Sequence, residues 1–378
     1  MHTAGVPFDE RGGVLRGCLD LVSGRFPRFV FGGRLDPAKT LPVFHFHDVT
    51  RDDLEPKLQF LAENGYRTTN TDEIWAYVQG ERRFESPGVA LCFDDAWASL
   101  WTVAGPLLKR YGLTGIAYAI PSRMSDAAAC RRTIDDRASM PEGADGEDST
   151  GGPPFATWPE VRALQRAGTI DVQCHTESHS MVFCSVEIRD FVTPDYQETP
   201  LLNRPMLSTA PERRFLTPDE LGAPLYAARS RMSDGRRVAV SLDTHARLVE
   251  YVAREGGAAF FSRSGWREAL RRLAGNDRHA IVETESEQQR AIEEELDRGR
   301  ALLNDRLRIT SVNHICLPWG VSGRHTADAL GRLGYRTAFA NRLRGLHAVK
   351  PGDDPHWLKR LPNRYIFHLP GRGRRTWF

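Results

Sequence analysis

Two apolar runs that each end in polar, metal-binding side chains place the strongest constraint on how this chain folds. The first, Val89–Asp95, finishes in two adjacent carboxylates. About eighty residues later, Ile170–Cys174 has the pattern of a short strand and leads into two imidazoles in the segment His175–His179. Two acids and two imidazoles at strand ends indicate a metal site in an α/β protein.

The set Asp95, His175 and His179 suits a catalytic divalent metal. Two imidazoles and one carboxylate leave positions open for water and substrate, and residues four apart on a helical turn can bind one ion. Adjacent residues of a strand point to opposite faces, so Asp94 and Asp95 can serve one site only if the strand ends there. The other carboxylate, Asp94, is then placed to take a proton from water.

Each motif taken alone has a plainer interpretation. With 12 histidines in 378 residues, a pair spaced by four can arise by chance, and an exposed helical turn explains it as well. The aspartate pair is also typical of a solvated turn or a helix N-cap. Because both motifs follow a strand, their joint placement favours the metal site over either alternative.

Five segments resemble motifs of one protein family. Cys92–Ala96 is similar to the motif Thr-Phe-Asp-Asp-Gly, and His175–His179 fits the pattern His-Ser/Thr-x-x-His in full. Phe46–Val49 resembles a Tyr-His-Asp-Val strand end, Leu317–Gly320 a Tyr-Pro-Tyr-Gly motif, and Gly334–Phe339 the strand after it. The chain therefore resembles the NodB-type polysaccharide deacetylases, carbohydrate esterase family 4, in the branch with these forms of the motifs.

The resemblance covers residues 41–183 and 284–370 and implies an α/β fold, a distorted (β/α) barrel. It implies that Asp94 is the general base and that Asp95, His175 and His179 hold the metal. Zn²⁺ is the expected ion, with Co²⁺, Ni²⁺ and Fe²⁺ as alternatives for the same ligands. The implied activity is metal-dependent removal of an N-acyl group, expected to be N-acetyl, from an amino sugar or carrier-linked sugar in glycan biosynthesis.

Three departures from the family pattern bear on the mechanism. Ala96 replaces a glycine, and alanine adopts positive φ less readily. The arginine that orients the base in many members would fall near Cys316 and is absent there. The late Leu-x-His motif, whose histidine serves as general acid, has only Ile366-Phe367-His368 as a candidate, and a solvent-facing strand histidine explains His368 equally well. His47 and His368 are our candidates for the general acid or for contact with the substrate. His45 is less favoured because it alternates to the other strand face.

Trp97, Pro318 and Trp319 adjoin or lie in two of these motifs and are predicted to contact substrate. Three other functions remain open on the sequence alone. The same site could hydrolyse a non-sugar amide or cyclic imide, or it could cleave an O-ester. A third alternative is a carbohydrate-binding or assembly protein that has lost its chemistry, which the missing arginine and the weak last motif favour.

The barrel motifs divide the chain into four parts. We predict an N-terminal extension over residues 1–40 and a barrel made of two segments, 41–183 and 284–370. Between these segments lies an inserted cap over residues 184–283, and a basic tail follows over residues 371–378. The large insertion is expected to be mostly helical, with a helix start at Thr217 and helices over residues 243–255 and 266–273. Because it leaves the barrel just after the second metal motif, we expect it to cover the carboxyl ends of the strands.

Composition narrows the partners and the compartment. The net charge of +2 gives no bulk attraction to nucleic acid. No apolar run is long enough to span a bilayer, and charged residues interrupt the first thirty residues, which disfavours a secretory signal. We therefore expect a cytoplasmic protein with at most peripheral contact at the inner membrane face, through its basic, aromatic C-terminal segment. The sequence carries no signal for an oligomeric state.

The cysteines and arginines add two further expectations. Six cysteines without metal-site or small-scaffold spacing indicate reduced thiols. Arginine pairs of the insertion are candidates for contact with a phosphorylated or nucleotide-linked sugar, at residues 213–214, 229–231, 236–237 and 271–272. A solvated helix face explains these arginines as well.

Overall fold

The computed structural model describes residues 28–31, 33–138, 152–209, 213–275, 281–340 and 348–375. These residues form two compact units. The barrel unit comprises the described residues up to Ser178, together with Glu294–Ser322 and those from Ala327 onward. The insertion unit comprises His179–Glu293 and Gly323–Thr326. The four-part division of the chain stays a prediction.

Fourteen strands lie within the described ranges. They are β1 Val43–Phe46, β2 Arg67–Thr68, β3 Gly88–Asp95, β4 Gly115–Ala119, β5 Ile170–Cys174, β6 Met181–Phe191, β7 Pro205–Ser208, β8 Arg214–Phe215, β9 Pro224–Ser230, β10 Val238–Ala239, β11 Ile281–Val282, β12 His314–Cys316, β13 Thr337–Phe339 and β14 Leu361–Pro362.

Nine α-helices lie in the same part of the chain. They are α1 Arg51–Glu63, α2 Thr71–Val78, α3 Gly105–Arg110, α4 Ile134–Ala138, α5 Trp158–Arg166, α6 Leu242–Arg254, α7 Trp266–Ala274, α8 Glu285–Leu307 and α9 Arg324–Arg332. No helix among the described residues is long and apolar enough to cross a membrane.

Eight strands of the barrel unit form one sheet in the order β13-β12-β5-β4-β3-β1-β14, with β2 paired to β3. Every pairing in this sheet is parallel. The segment 358–362 joins the two edges, because Leu358 bridges Phe339 of β13 while β14 pairs with β1. The sheet is thereby closed into a distorted (β/α) barrel, as the sequence predicted.

The strand sequences explain where the core of the barrel unit lies. All residues of β3 and β4 are buried, and parallel strands covered on both faces carry continuous apolar runs of this kind. Side chains from five strands or adjoining segments meet in one cluster, which includes Val43, Ala90, Tyr118, Cys316 and Leu358. Buried charged residues at the strand ends are therefore exceptions that need a chemical explanation.

The insertion unit contains a sheet as well as helices. Its four-stranded sheet runs in the order β8-β7-β6-β9, and α6 and α7 lie where helices were predicted. The predicted helix start at Thr217 is wrong. Glu220 does accept hydrogen bonds from the backbone N–H and the hydroxyl of Thr217. The chain then turns at Gly222, whose φ is 90°, and β9 begins at Pro224.

Several arginines have partners inside their own unit. Arg231 is buried, and its guanidinium lies 2.6 Å from the Glu283 carboxylate. Arg236 donates to the Glu283 carbonyl oxygen. Near the C-terminus, Arg374 donates to the carbonyl oxygen of Phe29. Some of the arginines that were candidates for contact with an anionic partner therefore form contacts within the protein instead.

Candidate metal centre and active site

The polar residues of the motifs follow the carboxyl ends of four barrel strands. Asp95 ends β3, His175 follows β5 directly, and Cys316 ends β12. His47 follows β1. Because these strands run parallel, their carboxyl ends share one edge of the sheet, which is where α/β proteins bind ligands.

The three predicted metal ligands converge. One ligand atom from each of Asp95, His175 and His179 lies within 4.8 Å of the others, and all three residues are buried. His175 Nε2 is 3.3 Å from Asp95 Oδ1. Two ligand atoms that each lie about 2.0 Å from a tetrahedral ion are about 3.3 Å apart. This pair therefore has the spacing of two ligands that share an ion.

Neighbouring groups fix the orientation of two of these ligands. The Nδ1–H of His175 donates to the carbonyl oxygen of Cys316 over 2.6 Å, which leaves Nε2 as the nitrogen that faces Asp95. The indole N–H of Trp97 donates to Asp95 Oδ2 over 2.9 Å. Metal-binding histidines and carboxylates are commonly held in this way, so the donor set fits a divalent ion.

The charge of the site favours a cation at His175. Burial acts to lower the pKa of this imidazole, but Cys316, Asp95 and Asp94 together raise it well above its usual value. A group held in an environment that stabilises positive charge is suited to a metal ion, which competes with the proton for the same nitrogen.

Left-handed backbone conformations cluster at the same strand ends. Five of the described residues other than glycine have positive φ here: the angle is 68° at Asp95, 56° at Ala96, 64° at Thr176, 54° at His179 and 54° at Trp319. Such conformations are sparsely populated and persist where the surrounding structure fixes them, often at functional sites. The alanine in place of the family's glycine therefore does adopt positive φ.

Asp94 is held by an arginine that sequence analysis did not find. Arg360 Nη1 and Nη2 donate to Asp94 Oδ1 and Oδ2 over 2.6 and 2.7 Å, a bidentate pair. Burial acts to raise the pKa of Asp94, but the guanidinium charge and its two hydrogen bonds hold that pKa below its usual value. Asp94 is therefore an ionised carboxylate in a buried position.

A second donor set, Asp94, His175 and Cys316, also has ligand atoms within 4.8 Å of one another. Both Asp94 oxygens already accept from Arg360. The Cys316 thiol would have to lose its proton, and burial raises its pKa. The set with Asp95 and His179 is the better metal site on both counts.

Comparison with known proteins finds a family match over the two motifs. Residues 81–201, which include Asp94, Asp95 and both histidines of the metal motif, match the family model described as Polysaccharide deacetylase. The resemblance to the polysaccharide deacetylases is confirmed.

Two relatives indicate how far the similarity extends. The poly-β-1,6-N-acetyl-D-glucosamine N-deacetylase of Escherichia coli (strain K12) is 24% identical over 131 residues, which are 35% of this chain and 18% of that protein. The chain thus matches about a fifth of that relative's length. The deacetylase domain of BpsB from Bordetella bronchiseptica superposes with a TM-score of 0.52 and 15% identity, over 87% of this chain and 97% of that domain. This likeness supports the NodB-type barrel fold.

Arg360 contacts Asp94 from outside the motifs that the sequence analysis identified. It lies 266 positions from Asp94 in sequence and belongs to the segment that closes the barrel. Its guanidinium stands over the rings of Tyr118 and Phe339, with centroids 5.9 and 5.6 Å away. No local pattern marks this residue, because its role depends on a contact between distant parts of the chain.

The three candidate histidines are placed differently. His47 is half exposed, and its Nε2 lies 3.8 Å from Asp94 Oδ2. The rings of His45 and His47 are 5.7 Å apart, because residues two apart on an extended chain share a face. The expectation that His45 alternates to the other face is wrong. Burial, then the charge of Arg360, lowers the pKa of His45 to about 3, so this imidazole is neutral at ordinary pH. His368 lies against Tyr365, and its role as general acid stays a prediction.

Trp97 has a structural role beside the one predicted for it. Besides its hydrogen bond to Asp95, its ring stacks on Phe155 with centroids 4.7 Å apart. Pro318 and Trp319 form a short turn after β12, in which Pro318 is buried and Trp319 partly exposed. Substrate contact by Trp97, Pro318 and Trp319 stays a prediction.

Proposed function

We propose that this protein is a metal-dependent deacetylase that removes an N-acyl group, N-acetyl in the first instance, from an amino sugar or carrier-linked sugar. The observation that carries the proposal is the buried carboxylate of Asp94, clamped by Arg360 beside the converging side chains of Asp95, His175 and His179. A hydrolase of amides needs a fixed base next to a site that activates water.

The metal would be held by Asp95, His175 and His179. When bound there, a divalent ion lowers the pKa of a water molecule and polarises the carbonyl under attack. We propose Zn²⁺, because two imidazoles and one carboxylate are a frequent catalytic zinc set. Co²⁺, Ni²⁺ and Fe²⁺ accept the same ligands, and selection among them follows geometry and supply.

Asp94 takes the proton of the attacking water. Its lowered pKa keeps it ionised, so the base is in its active form throughout the neutral range. Arg360 restrains both carboxylate oxygens, which limits the orientations that Asp94 samples and keeps one oxygen facing His47. A fixed base loses less orientational freedom on reaching the transition state.

His47 is the acid that we propose for protonation of the departing amine. It is the half-exposed histidine whose Nε2 lies 3.8 Å from Asp94 Oδ2, so base and acid flank the same position. His368 is retained as the second candidate. Replacement of each by alanine, with rates measured on amides that differ in leaving-group basicity, distinguishes them, because the true acid matters most for the most basic amine.

Amino sugars are proposed as substrates on the strength of the family match and of the relative that acts on poly-β-1,6-N-acetyl-D-glucosamine. Trp97, Pro318 and Trp319 are the proposed contacts with the sugar. The cytoplasmic setting and at most peripheral membrane contact stay predictions.

The replacement Asp94→Asn tests the proposed function. An amide cannot accept the proton of water, so we expect acetate release from N-acetylated glucosamine oligosaccharides to fall by about 10²-fold or more while bound metal remains. Asp52→Asn, an exposed position on α1, is the matched control. Rate and metal content are measured on the same preparations.

Two results would contradict this assignment. Unchanged acetate release in Asp94→Asn would remove Asp94 from the mechanism. Loss of metal together with activity would show that Asp94 is a ligand instead of the base. Parallel assays on O-acetylated sugars and on a cyclic imide show whether an amide of a sugar is the preferred substrate.

A further inference from the structure

Helix α8 packs directly against the loop that carries the two metal-binding histidines. Two of its residues, Glu295 and Gly299, are buried and lie four positions apart, so they share one face of the helix. Both contact the segment between Cys174 and Ser178.

Glu295 binds the loop through its side chain and its backbone. Its two carboxylate oxygens accept from the backbone N–H of Ser178 over 3.0 Å and from the Ser178 hydroxyl over 2.5 Å. Its carbonyl oxygen accepts from the backbone N–H of Glu177 over 2.9 Å. All of the donors to Glu295 in these three bonds lie between the two histidines in sequence.

Gly299 allows the helix to approach this closely. A Cβ atom there would lie 2.8 Å from the backbone nitrogen of Glu177, 2.9 Å from the sulfur of Cys174 and 2.9 Å from the carbonyl carbon of Thr176. Two of these neighbours are backbone atoms, which cannot move aside without moving the loop. A side chain at position 299 is therefore incompatible with the observed contact.

The loop needs such support because its backbone is unusual. Thr176 and His179 both have positive φ, at 64° and 54°. Conformations of this kind persist where neighbouring groups fix them. The N–H groups of Glu177 and Ser178, between these two residues, are the ones that Glu295 holds.

We infer that Glu295 is a positioning residue that sets metal affinity by fixing the loop from His175 to His179. It acts through Ser178 and Glu177 and is not itself a ligand. This inference rests on the proposed metal centre and adds to it a residue 117 positions away from the loop that no motif identifies. Replacement of a residue that orients metal ligands without binding the metal typically changes metal affinity by about 10–100-fold.

The variant Glu295→Gln tests the inference, since its amide keeps the shape but offers only one oxygen for two donors. Glu294→Gln, exposed on the same helix, is the control. Zn²⁺ dissociation constants are measured by competition with a chromogenic chelator, and thermal unfolding of the metal-free proteins checks the fold. We expect affinity to fall by about 10–100-fold in Glu295→Gln and to be unchanged in Glu294→Gln. At saturating Zn²⁺, kcat should recover most of its value.

Ser178→Ala removes one of the same hydrogen bonds without touching the helix, and it keeps the test decisive if Glu295→Gln does not fold. We expect it also to weaken Zn²⁺ binding. If Glu295→Gln and Ser178→Ala bind Zn²⁺ as tightly as the wild type, the inference is wrong and the metal centre stands. If the wild type itself binds none of Zn²⁺, Co²⁺, Ni²⁺ and Fe²⁺, the metal centre is wrong and the inference falls with it.

Discussion

Burial and charge act in opposite directions on the Asp94 carboxylate. Burial alone would raise its pKa and favour the neutral acid, which could not accept a proton. Arg360, partly buried against the rings of Tyr118 and Phe339, reverses this. Because removal of one partner from a buried pair leaves an uncompensated charge, Arg360 supports both the fold and the ionisation state of the base.

Arg360→Lys tests the need for the bidentate contact, since it retains the charge but not the planar fork. We expect kcat to fall by about 10-fold or more, because a single ammonium cannot hold both carboxylate oxygens in the same orientation. Arg364→Lys, exposed in the same part of the chain, should change little. Equal kcat in the two variants would show that the clamp does not matter for turnover.

The pH dependence of the same variant has a definite sign. Arg360 lowers the pKa of Asp94, so the ionised base is lost only as pH falls below the usual carboxylate range. A weaker contact raises that pKa, and the acid side of the kcat profile should therefore move to higher pH in Arg360→Lys. Profiles of both proteins at saturating metal check this, and a shift to lower pH would contradict it.

At the residue scale, the sequence predicts what neighbouring residues encode together. Asp94, Asp95, His175 and His179 stand in two short motifs, and the structure brings them to one edge of the sheet. Arg360 and Glu295 contact these motifs from 266 and 117 positions away. Only the closed barrel and the packing of α8 bring them there, so no local pattern could reveal either residue.

At the scale of elements, the insertion unit shows where periodicity is informative. The helices α6 and α7 were predicted from the sequence, and in the structure their apolar residues pack in one cluster. The four-stranded sheet was not predicted, because β6 pairs with β9 through shifts of register near Ile188, which interrupt the alternation of a regular strand. Thr217 and Glu220 make the contacts of a helix cap, but Gly222 and Pro224 end the turn.

Gly222→Ala tests the packing of β9 against α6 within the insertion unit. Gly222 has a φ of 90°, and a Cβ there would lie 2.5 Å from Val252 Cγ2 and 3.1 Å from the Leu248 carbonyl oxygen. Gly257 also has positive φ, at 61°, but a Cβ there meets nothing within 4 Å. We expect Gly222→Ala to lower the free energy of unfolding by about 2 kcal/mol more than Gly257→Ala, in denaturant titrations. Equal losses would show that backbone conformation alone decides the effect.

At the scale of the whole molecule, closure of the barrel explains how the base acquires its arginine. The segment 358–362 bridges β13 through Leu358 and pairs with β1 through β14, and Arg360 lies between these two contacts. The guanidinium is therefore carried into the barrel by the same residues that close it. The sequence predicted the barrel from its motifs, whereas the closing segment has too few residues to be recognised as a strand.

The preferred size of the substrate is a prediction for the whole chain. The predicted insertion, residues 184–283, begins five residues after His179, and the sequence predicts that it covers the carboxyl ends of the strands. A covered site favours small substrates, because it excludes water and contacts the substrate on several sides. We therefore expect higher kcat/KM on a monosaccharide or short conjugate than on chitin-like polymer, measured by acetate release. Equal values per acetyl group on long and short substrates would contradict this expectation.

The measurement that tests the central claim most directly is acetate release from an N-acetylated glucosamine oligosaccharide during titration of metal-free protein with Zn²⁺. We predict that chelator-treated protein is inactive and that activity rises to a plateau at one equivalent of metal. His179→Ala, which removes one ligand, should reach no such plateau. Equal activity with and without metal, or an unchanged titration in His179→Ala, would contradict the assignment of Asp95, His175 and His179 as the catalytic metal centre.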